Sequence, residues 1–297
     1  MAYSAGGTIE ATDYNTRIAN INAIWGVGAG SNGYGQSTTL SNVSVSGTVT
    51  ATNWASAIAR LDSMRSHQSA TTSGLTQPTA GNTITYLATL DTQISTIITN
   101  KLTPATRGTG VVVGNPQISN ATAWAGVNTK EVLYTFTSGV DAVRYFFNAG
   151  GYISMSSQQT GGTTSKYVYW NAFLANVIGT FYIGSNFCGR SGTGGTATVS
   201  NTGVGYWNLT TTYQRLFLIY QAYGIADYNA NYVDIYAKIT AANQVSLLIY
   251  MVDAAGDTFN DNVDGTNATY TSYVPPETTY LANTWGAVTC TTVTNTQ

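Results

Sequence analysis

In three stretches of the first hundred residues, large apolar residues recur every three to four positions. Residues 8–24 recur in modified form at residues 48–64, and each copy places its large apolar side chains on one side of a helix. These side chains are Tyr14, Ile18, Ile21 and Trp25 in the first copy and Trp54, Ile58 and Leu61 in the second. The spacing predicts two short amphipathic helices.

A polar residue stands near the expected start of each helix. Asp13 and Asn53 precede the first aromatic residue of the two copies, and such side chains can accept hydrogen bonds from the free amides of a first turn. A third, weaker copy is predicted to begin at Asn82 and to end before Pro104, with an apolar face formed by Leu87, Leu90, Ile94, Ile97 and Ile98. Because short helices are marginal on their own, the three must pack on one another or on a neighbouring subunit.

The pattern changes after Lys101, where glycine and proline interrupt it, and from about residue 130 polar and apolar residues alternate. Alternation predicts half-buried strands. We expect strands at residues 132–138, 142–157, 180–187, 212–223, 231–240 and 244–253, with turns at 148–151 and 241–243, and one helix from Trp170 to Gly179. The predicted fold class is α+β: a helical repeat region at residues 1–110 and an antiparallel β-sandwich with one crossing helix at residues 111–297.

The composition changes the picture of the surface. Charged residues make up only 8% of the chain, against about a quarter in ordinary soluble domains. Uncharged polar side chains must therefore cover most of the surface, which suits a subunit packed into an assembly. The net charge is −2 and the basic residues form no stripe, so we expect no nucleic-acid partner. We also expect neither an export signal nor membrane insertion, because no segment has the required apolar length.

The chain has two cysteines, Cys188 and Cys290. They could form one disulfide, and the sequence does not decide whether they are paired. The expected lack of an export signal favours free thiols.

Two motifs with catalytic or cofactor associations have simpler explanations. The stretch from Gly28 to Gly33 matches the dinucleotide fingerprint letter for letter, but a predicted helix precedes it where the fingerprint requires a strand. We therefore interpret it as a glycine loop after a helix, with no cofactor. His67 is the only histidine, and no triad or zinc motif surrounds it. We expect a polar residue near the end of the second helix.

Four carboxylates lie close together near the end of the sandwich region: Asp253, Asp257, Asp261 and Asp264. Clustered oxygen ligands are what calcium prefers, so this is the best metal candidate in the sequence. However, Thr271 occupies the position where a calcium loop begun at Asn260 would place its bidentate acid. The same acids could be imagined as a glycosidase pair, which spacing alone cannot establish. We expect a solvated loop, with no metal and no catalytic residue.

Tyrosine is the remaining signal, with 21 residues. Most alternate along predicted strands, which is typical of core and sheet-face packing. The others could serve subunit interfaces or stacking on sugar rings. The surface candidates near strand ends are Tyr206, Trp207, Tyr223, Tyr228 and Tyr232.

Several short segments resemble virion structural proteins of tailed bacteriophages, notably those of marine cyanobacteria. Residues 8–15, 21–26 and 33–36 are similar to their N-terminal segment. Residues 51–54, Ile58, 61–62 and 67–68 resemble a second segment, and residues 143–151 and 262–265 resemble their β-rich portion. The resemblance implies a fibre, baseplate or other appendage protein of the virion, assembled in the host cytoplasm and without catalytic residues.

These observations lead to three hypotheses. The first is a non-enzymatic tail fibre or appendage subunit, a homo-oligomer and most simply a trimer, that contacts other virion proteins and host-surface glycan. In this hypothesis the apolar helix faces form the interfaces between subunits. A low charge and exposed apolar stripes are both expected of a protein with large obligate interfaces. The second is a capsid, neck or tail decoration protein. The third, from another class, is a carbohydrate-binding or depolymerising tip that uses the aspartate-rich loop.

Overall fold

The computed structural model of the chain describes residues 9–81, 83–114, 117–221, 228–254 and 262–297. The chain forms two compact units. The first, which we call the helical unit, comprises residues 1–108, 144–150 and 276–285. The second, the sandwich unit, comprises residues 109–143, 151–275 and 286–297. The predicted boundary at residue 110 lies close to the first division, but two later segments also belong to the helical unit.

Three helices, α1 (Ala11–Trp25), α2 (Ala51–Ser69) and α3 (Leu87–Thr99), form the body of the helical unit. Each contacts the other two. The Tyr14 and Trp54 rings meet edge to face with centroids 5.1 Å apart, and the Arg17 guanidinium pairs with both carboxylate oxygens of Asp91 at 2.7 Å. The predicted helical repeat is therefore present, and its apolar faces meet one another.

The seven residues predicted as helix interfaces for a partner are interior residues instead. Tyr14, Ile18, Ile21, Trp25, Trp54, Ile58 and Leu61 are each at most 4% exposed. Three amphipathic helices in one chain can turn their faces inward together, and this removes the apolar area that a partner would otherwise cover. The interface prediction for these residues was wrong.

The helix starts differ in detail from the prediction. α1 begins at Ala11 after Glu10, with no side-chain cap, so Asp13 lies inside the first turn. At α2 the cap is Thr50, and Asn53 is its partner in a capping box: each side chain accepts from the other residue's amide. The reciprocal arrangement satisfies two free donors of the first turn. α3 begins at Leu87, while Asn82 lies outside the described residues.

Twelve strands are present in the described part of the sandwich unit. They are β1 (Val112–Val113), β2 (Ile118–Asn120), β3 (Gly126–Phe136), β4 (Tyr152–Thr160), β5 (Thr180–Ile183), β6 (Cys188–Arg190), β7 (Thr196–Ser200), β8 (Gln214–Tyr220), β9 (Tyr232–Ala241), β10 (Gln244–Asp253), β11 (Thr266–Val274) and β12 (Val288–Thr296). Sheet I has the order β1-β11-β4-β5-β6, with β2 also paired to β11, and sheet II has the order β12-β3-β10-β9-β8-β7.

All strand pairs in both sheets are antiparallel. Inner side chains of the two sheets meet: the rings of Phe181 in β5 and Phe217 in β8 have centroids 5.6 Å apart, and the Tyr134 hydroxyl of β3 donates to the Ser154 carbonyl of β4 at 2.5 Å. The predicted α+β class with an antiparallel sandwich is confirmed.

One local prediction for residues 142–178 was wrong, and another holds with an earlier start. The predicted strand at residues 142–157 is a helix, α4 (Ala142–Asn148), followed by β4. The short apolar run around Phe146 fits either periodicity, and a window of this length cannot separate them. The predicted crossing helix is α5 (Ser165–Ala172), capped by Thr164, which continues as a π-helical segment (Phe173–Ile178) and ends before Gly179 as expected.

Candidate functional site

The outer face of sheet II carries a group of tyrosines that we call the tyrosine face. In β9 the alternate residues Val233, Ile235 and Ala237 are fully buried toward sheet I, so the residues between them point outward because side chains alternate along a strand. The tyrosine face consists of Tyr213, which precedes β8, Tyr220 in β8, Tyr232 and Tyr236 in β9, and Tyr250 in β10. All five side chains are half-buried.

The rings of the tyrosine face lie against one another. Tyr220 and Tyr232, directly opposite each other in the ladder, have centroids 5.2 Å apart. The Tyr236 ring stands edge to face against Tyr250 at 5.8 Å and against Tyr213 at 6.4 Å. Neighbouring aromatic rings at these distances restrict each other's rotamers. The face therefore presents its rings in a fixed arrangement.

A charged network holds one end of the face. Arg215 donates to the Tyr236 hydroxyl at 2.9 Å and to the Asp234 carboxylate at 2.8 Å, and the Tyr236 hydroxyl also donates to Asp234 at 2.8 Å. Burial raises the pKa of Asp234 above its ordinary value, while these two donors oppose the shift. The hydrogen bond to Tyr236 raises the pKa of Arg215. The guanidinium thus stays charged and fixes the Tyr236 ring.

A second network lies across the strand β10. The Tyr213 hydroxyl hydrogen-bonds to Glu131 and lies 2.9 Å from the Ser246 hydroxyl, which itself donates to Glu131 at 2.9 Å. Burial, and then the bond to Glu131, raises the pKa of Tyr213 well above its ordinary value. The Lys238 ammonium lies 4.1 Å from the centre of the Tyr213 ring. The Tyr213 side chain is therefore held by a carboxylate at its hydroxyl and by an ammonium over its ring.

The arrangement is suited to binding a polar ligand with flat apolar faces. Tyrosine combines a ring that packs against C–H groups with a hydroxyl that makes hydrogen bonds. Glu131, Asp234, Arg215 and Lys238 add acceptors and donors beside the rings. A sugar ring has matching chemistry, since its hydroxyl groups surround an apolar face. Both carboxylates of the face already accept hydrogen bonds from tyrosine hydroxyls, so they position rings.

The five aromatic residues predicted to lie at the surface have different environments in the structure. Tyr232 belongs to the tyrosine face. Tyr206 is only 8% exposed, so it is not a surface residue; it stacks edge to face on the half-buried Trp207 at 5.0 Å in a short 3-10 turn. The Tyr228 ring packs on Tyr169 at 4.6 Å. Tyr223 lies outside the described residues.

Sequence reasoning missed the other four tyrosines of the face. Tyr220, Tyr236 and Tyr250 alternate with apolar residues along β8, β9 and β10, and Tyr213 precedes β8. The meeting of the four rings depends on the register between strands. The usable signal was the polar and aromatic alternation from Tyr232 to Lys238, in which every second residue is tyrosine or charged.

The two described carboxylates of the aspartate-rich stretch, Asp253 and Asp264, have separate partners. Asp253 forms a buried ion pair with Lys166 at 2.7 Å, with the two side chains 2% and 1% exposed. Asp264 accepts from the Thr163 amide at 2.7 Å and the Thr164 hydroxyl at 2.5 Å, and these bonds lower its pKa. Asp257 and Asp261 lie outside the described residues. No group of three metal-binding side chains is found in the part of the chain that the structure covers.

The glycine motif is a loop that folds back on the end of α1. The amide of Tyr34 donates to the Ile24 carbonyl at 2.9 Å. Gly28 and Gly33 have positive φ, and a Cβ on Gly33 would lie 2.1 Å from the Val27 carbonyl oxygen. Since only glycine tolerates both conditions, the motif is explained by the turn itself.

His67 is a buried residue of α2, 3% exposed, with its ring 5.4 Å from that of Tyr34. Burial lowers its pKa to about 4, against smaller opposing effects of the Ala149 backbone and the Glu277 charge. The polar residue expected near the end of the helix is therefore enclosed and neutral near pH 7. Cys188 and Cys290 are both buried free thiols, as expected.

The chain matches no family model, no curated protein and no solved structure. Within the described residues, none of the helices combines the length and apolar character that crossing a bilayer requires. The fold and the tyrosine face are thus the features of the described residues that bear on function.

Proposed function

We propose that this protein is a structural, non-enzymatic component of a tailed phage particle, a fibre or appendage subunit whose sandwich unit binds host-surface carbohydrate through the tyrosine face. The observation that carries the binding role is the tyrosine face: five half-buried rings held by one another and by two charged networks. Fixed rings lose little conformational entropy on binding, which favours recognition of a flexible glycan.

The particle role rests on two other observations. The segments described above resemble those of phage virion proteins, and charged residues make up only 8% of the chain. Low charge gives little mutual repulsion between copies, which favours a protein that functions within an assembly. The apolar faces of the three helices are buried within the chain, so they do not support an interface with another virion protein.

The binding role predicts a specific loss on substitution. The full chain should bind polysaccharide extracted from the host surface, and the double substitution Tyr236→Ala with Tyr250→Ala should weaken binding at least tenfold, or about 1.4 kcal/mol. Isothermal titration measures the effect. Tyr280→Ala is the matched control, because Tyr280 is a 44% exposed tyrosine of the helical unit. Equal binding by the double variant and the control would refute the role of the tyrosine face.

The particle role has its own test. Mass spectrometry of purified particles should find the chain in stoichiometric amounts with the major virion proteins. Its absence from particles, with glycan binding intact, would leave a carbohydrate-binding protein and remove the virion assignment.

A decoration protein of the capsid, neck or tail is the second candidate, and the edges of sheet II favour it. β7 and β12 are its outer strands, and neither contains a charged residue or a proline. Such residues normally protect edge strands from pairing with other chains. A labelled antibody against the protein should mark the tip of an appendage under the first proposal, and the capsid or tail surface under the second.

A depolymerising role for the aspartate-rich loop has less support than carbohydrate binding. Asp253 and Asp264, the two described members, are engaged by Lys166 and by Thr163 and Thr164. We therefore propose that the protein binds carbohydrate and does not cleave it.

A further inference from the structure

A lysine lies in the interior of the sandwich unit among amide side chains. Lys130 of β3 is fully buried, and its position in the ladder is directly opposite Asn295 of β12. Side chains of directly opposite residues in an antiparallel pair are on the same face, with Cβ atoms roughly 5 Å apart. The Lys130 amine and the Asn295 carboxamide are therefore held side by side.

Three groups meet at this point. The Lys130 Nζ is in hydrogen-bonding contact with the Asn295 Oδ1. With the Asn120 amide of β2 oriented so that its oxygen accepts from the Lys130 Nζ at 2.8 Å, its nitrogen lies 2.7 Å from the Oδ1 and 2.6 Å from the Nδ2 of Asn295. Asn120 thus orients the amine and donates to the carbonyl oxygen of the neighbouring amide. Donation to a carbonyl oxygen makes its carbon more electrophilic.

The surroundings of Lys130 favour the neutral form of its amine. Burial lowers the pKa of Lys130 to about 8, because a charged ammonium is costly to keep away from water. A neutral amine is a nucleophile, and roughly a tenth of the molecules carry it at pH 7 for a pKa near 8.

We propose that Lys130 and Asn295 form an intramolecular isopeptide bond. The neutral Lys130 Nζ attacks the Asn295 Cγ, and the Nζ–Cγ bond forms as the bond from Cγ to Nδ2 breaks. The Nζ loses one hydrogen to the departing group, which leaves as ammonia. No oxidant, cofactor or second substrate is required, since the amide of Asn295 is exchanged for the amide with Lys130.

The reaction needs no enzyme-like rate, because it occurs once in the life of a chain. Holding an amine beside a carbonyl can be equivalent to an effective concentration of about 10⁵ M or more. The bond would join strands whose linked residues are 165 positions apart and would covalently fix the edge strand β12 to β3. This inference does not depend on the proposed carbohydrate binding.

Intact-protein mass spectrometry tests the bond directly. Loss of ammonia should give a mass about 17 Da below that of the sequence, and fragmentation should find the Lys130 peptide joined to the Asn295 peptide. The substitution Asn295→Ala should abolish the deficit, and so should Lys130→Met. Lys101→Met is the matched control, because it removes a lysine from the helical unit.

The alternatives give different results. A mass deficit that survives Lys130→Met would mean cyclisation of an asparagine on its own backbone and would overturn the proposal. A linkage from Lys130 to Asn120 would overturn the assignment of Asn295. Lys130→Met changes an interior residue, so Asn295→Ala, a change at an exposed residue, decides the question independently of any effect on folding.

The rate of formation provides a second readout. For newly folded protein, formation should be roughly 90-fold faster at pH 9 than at pH 6, following the fraction of neutral amine for a pKa near 8. Asn120→Ala should slow formation without abolishing it. Full mass after prolonged incubation at pH 9 would show that the bond does not form.

Discussion

In the helical unit, interior neighbours are side chains three or four residues apart on the same helix, together with their counterparts on two other helices. In the sandwich unit, interior neighbours belong to strands distant in sequence, and many are polar: Asn128, Lys130, Gln159, Asn267 and Thr269 are all fully buried. The contact faces of the helices are mostly apolar, with His67 among their buried polar residues. Periodicity along the sequence therefore identifies the helical core, whereas the side chains that meet in the sandwich depend on the register between strands.

The most severe change should be a cavity in the helical core. Trp54 is 1% exposed and packs against Tyr14 at 5.1 Å. Trp54→Ala should lower the free energy of unfolding by about 3–5 kcal/mol, through lost burial and the cavity left behind. Urea denaturation followed by helical circular dichroism measures it, with Val45→Ala at an 89% exposed position as control. Similar small effects of both changes would contradict a self-contained helical core.

Breaking the buried ion pair of the sandwich unit should cost almost as much. Asp253→Asn leaves the Lys166 ammonium enclosed without the carboxylate charge that lies 2.7 Å away, and the expected loss is about 3 kcal/mol. The double change Lys166→Met with Asp253→Leu should restore most of this stability, because it removes both charges together. A double variant no more stable than Asp253→Asn would mean that the penalty arises elsewhere.

The pH dependence of the helical unit should be smaller and should depend on His67. Its folded pKa of about 4 lies below the unfolded value, so the unfolded chain binds more protons between the two. The contribution of neutral His67 to the free energy of unfolding is therefore fully present above about pH 6.5. It falls by about 2–3 kcal/mol as the pH decreases toward 4. Chemical denaturation across this range measures the fall, and His67→Gln should reduce it. An unchanged slope in that variant would assign the effect to other groups.

The smallest effect is expected at the ion pair between α1 and α3. Although Arg17 and Asp91 make two 2.7 Å hydrogen bonds, the Asp91 side chain is 51% exposed. Solvent screening should limit the cost of Asp91→Asn to less than about 1 kcal/mol. Thermal unfolding at low and high salt checks this, since high salt should reduce the difference between variant and wild type. If Asp91→Asn lowered the free energy of unfolding as much as Asp253→Asn does, burial would not explain the difference in strength between the two ion pairs.

Much of the architecture was predictable, for identifiable reasons. The helical repeat, the end of the crossing helix before Gly179 and the β9–β10 hairpin all follow from local patterns. α4 was mistaken for a strand because its apolar run is short, and the prediction of exposed helix faces failed because sequence does not show whether amphipathic faces meet within the chain.

The candidate sites were less predictable, because they depend on strand register. Tyr250 reaches Tyr236 across the β9–β10 ladder, and Lys130 reaches Asn295 across the β3–β12 ladder. Neither β11 nor β12 was among the predicted strands, since threonine-rich segments such as residues 288–296 have little hydrophobic contrast. Without β12, no reasoning from the sequence could have brought Lys130 and Asn295 together.

Hydrogen–deuterium exchange of the intact protein, with and without host-surface polysaccharide, tests the binding role of the tyrosine face most directly. We expect slower exchange on binding in residues 213–220, 232–238 and 246–250, and no change in α1, α2 or α3. Slower exchange confined to the three helices, or no change anywhere at saturating polysaccharide, would contradict the account.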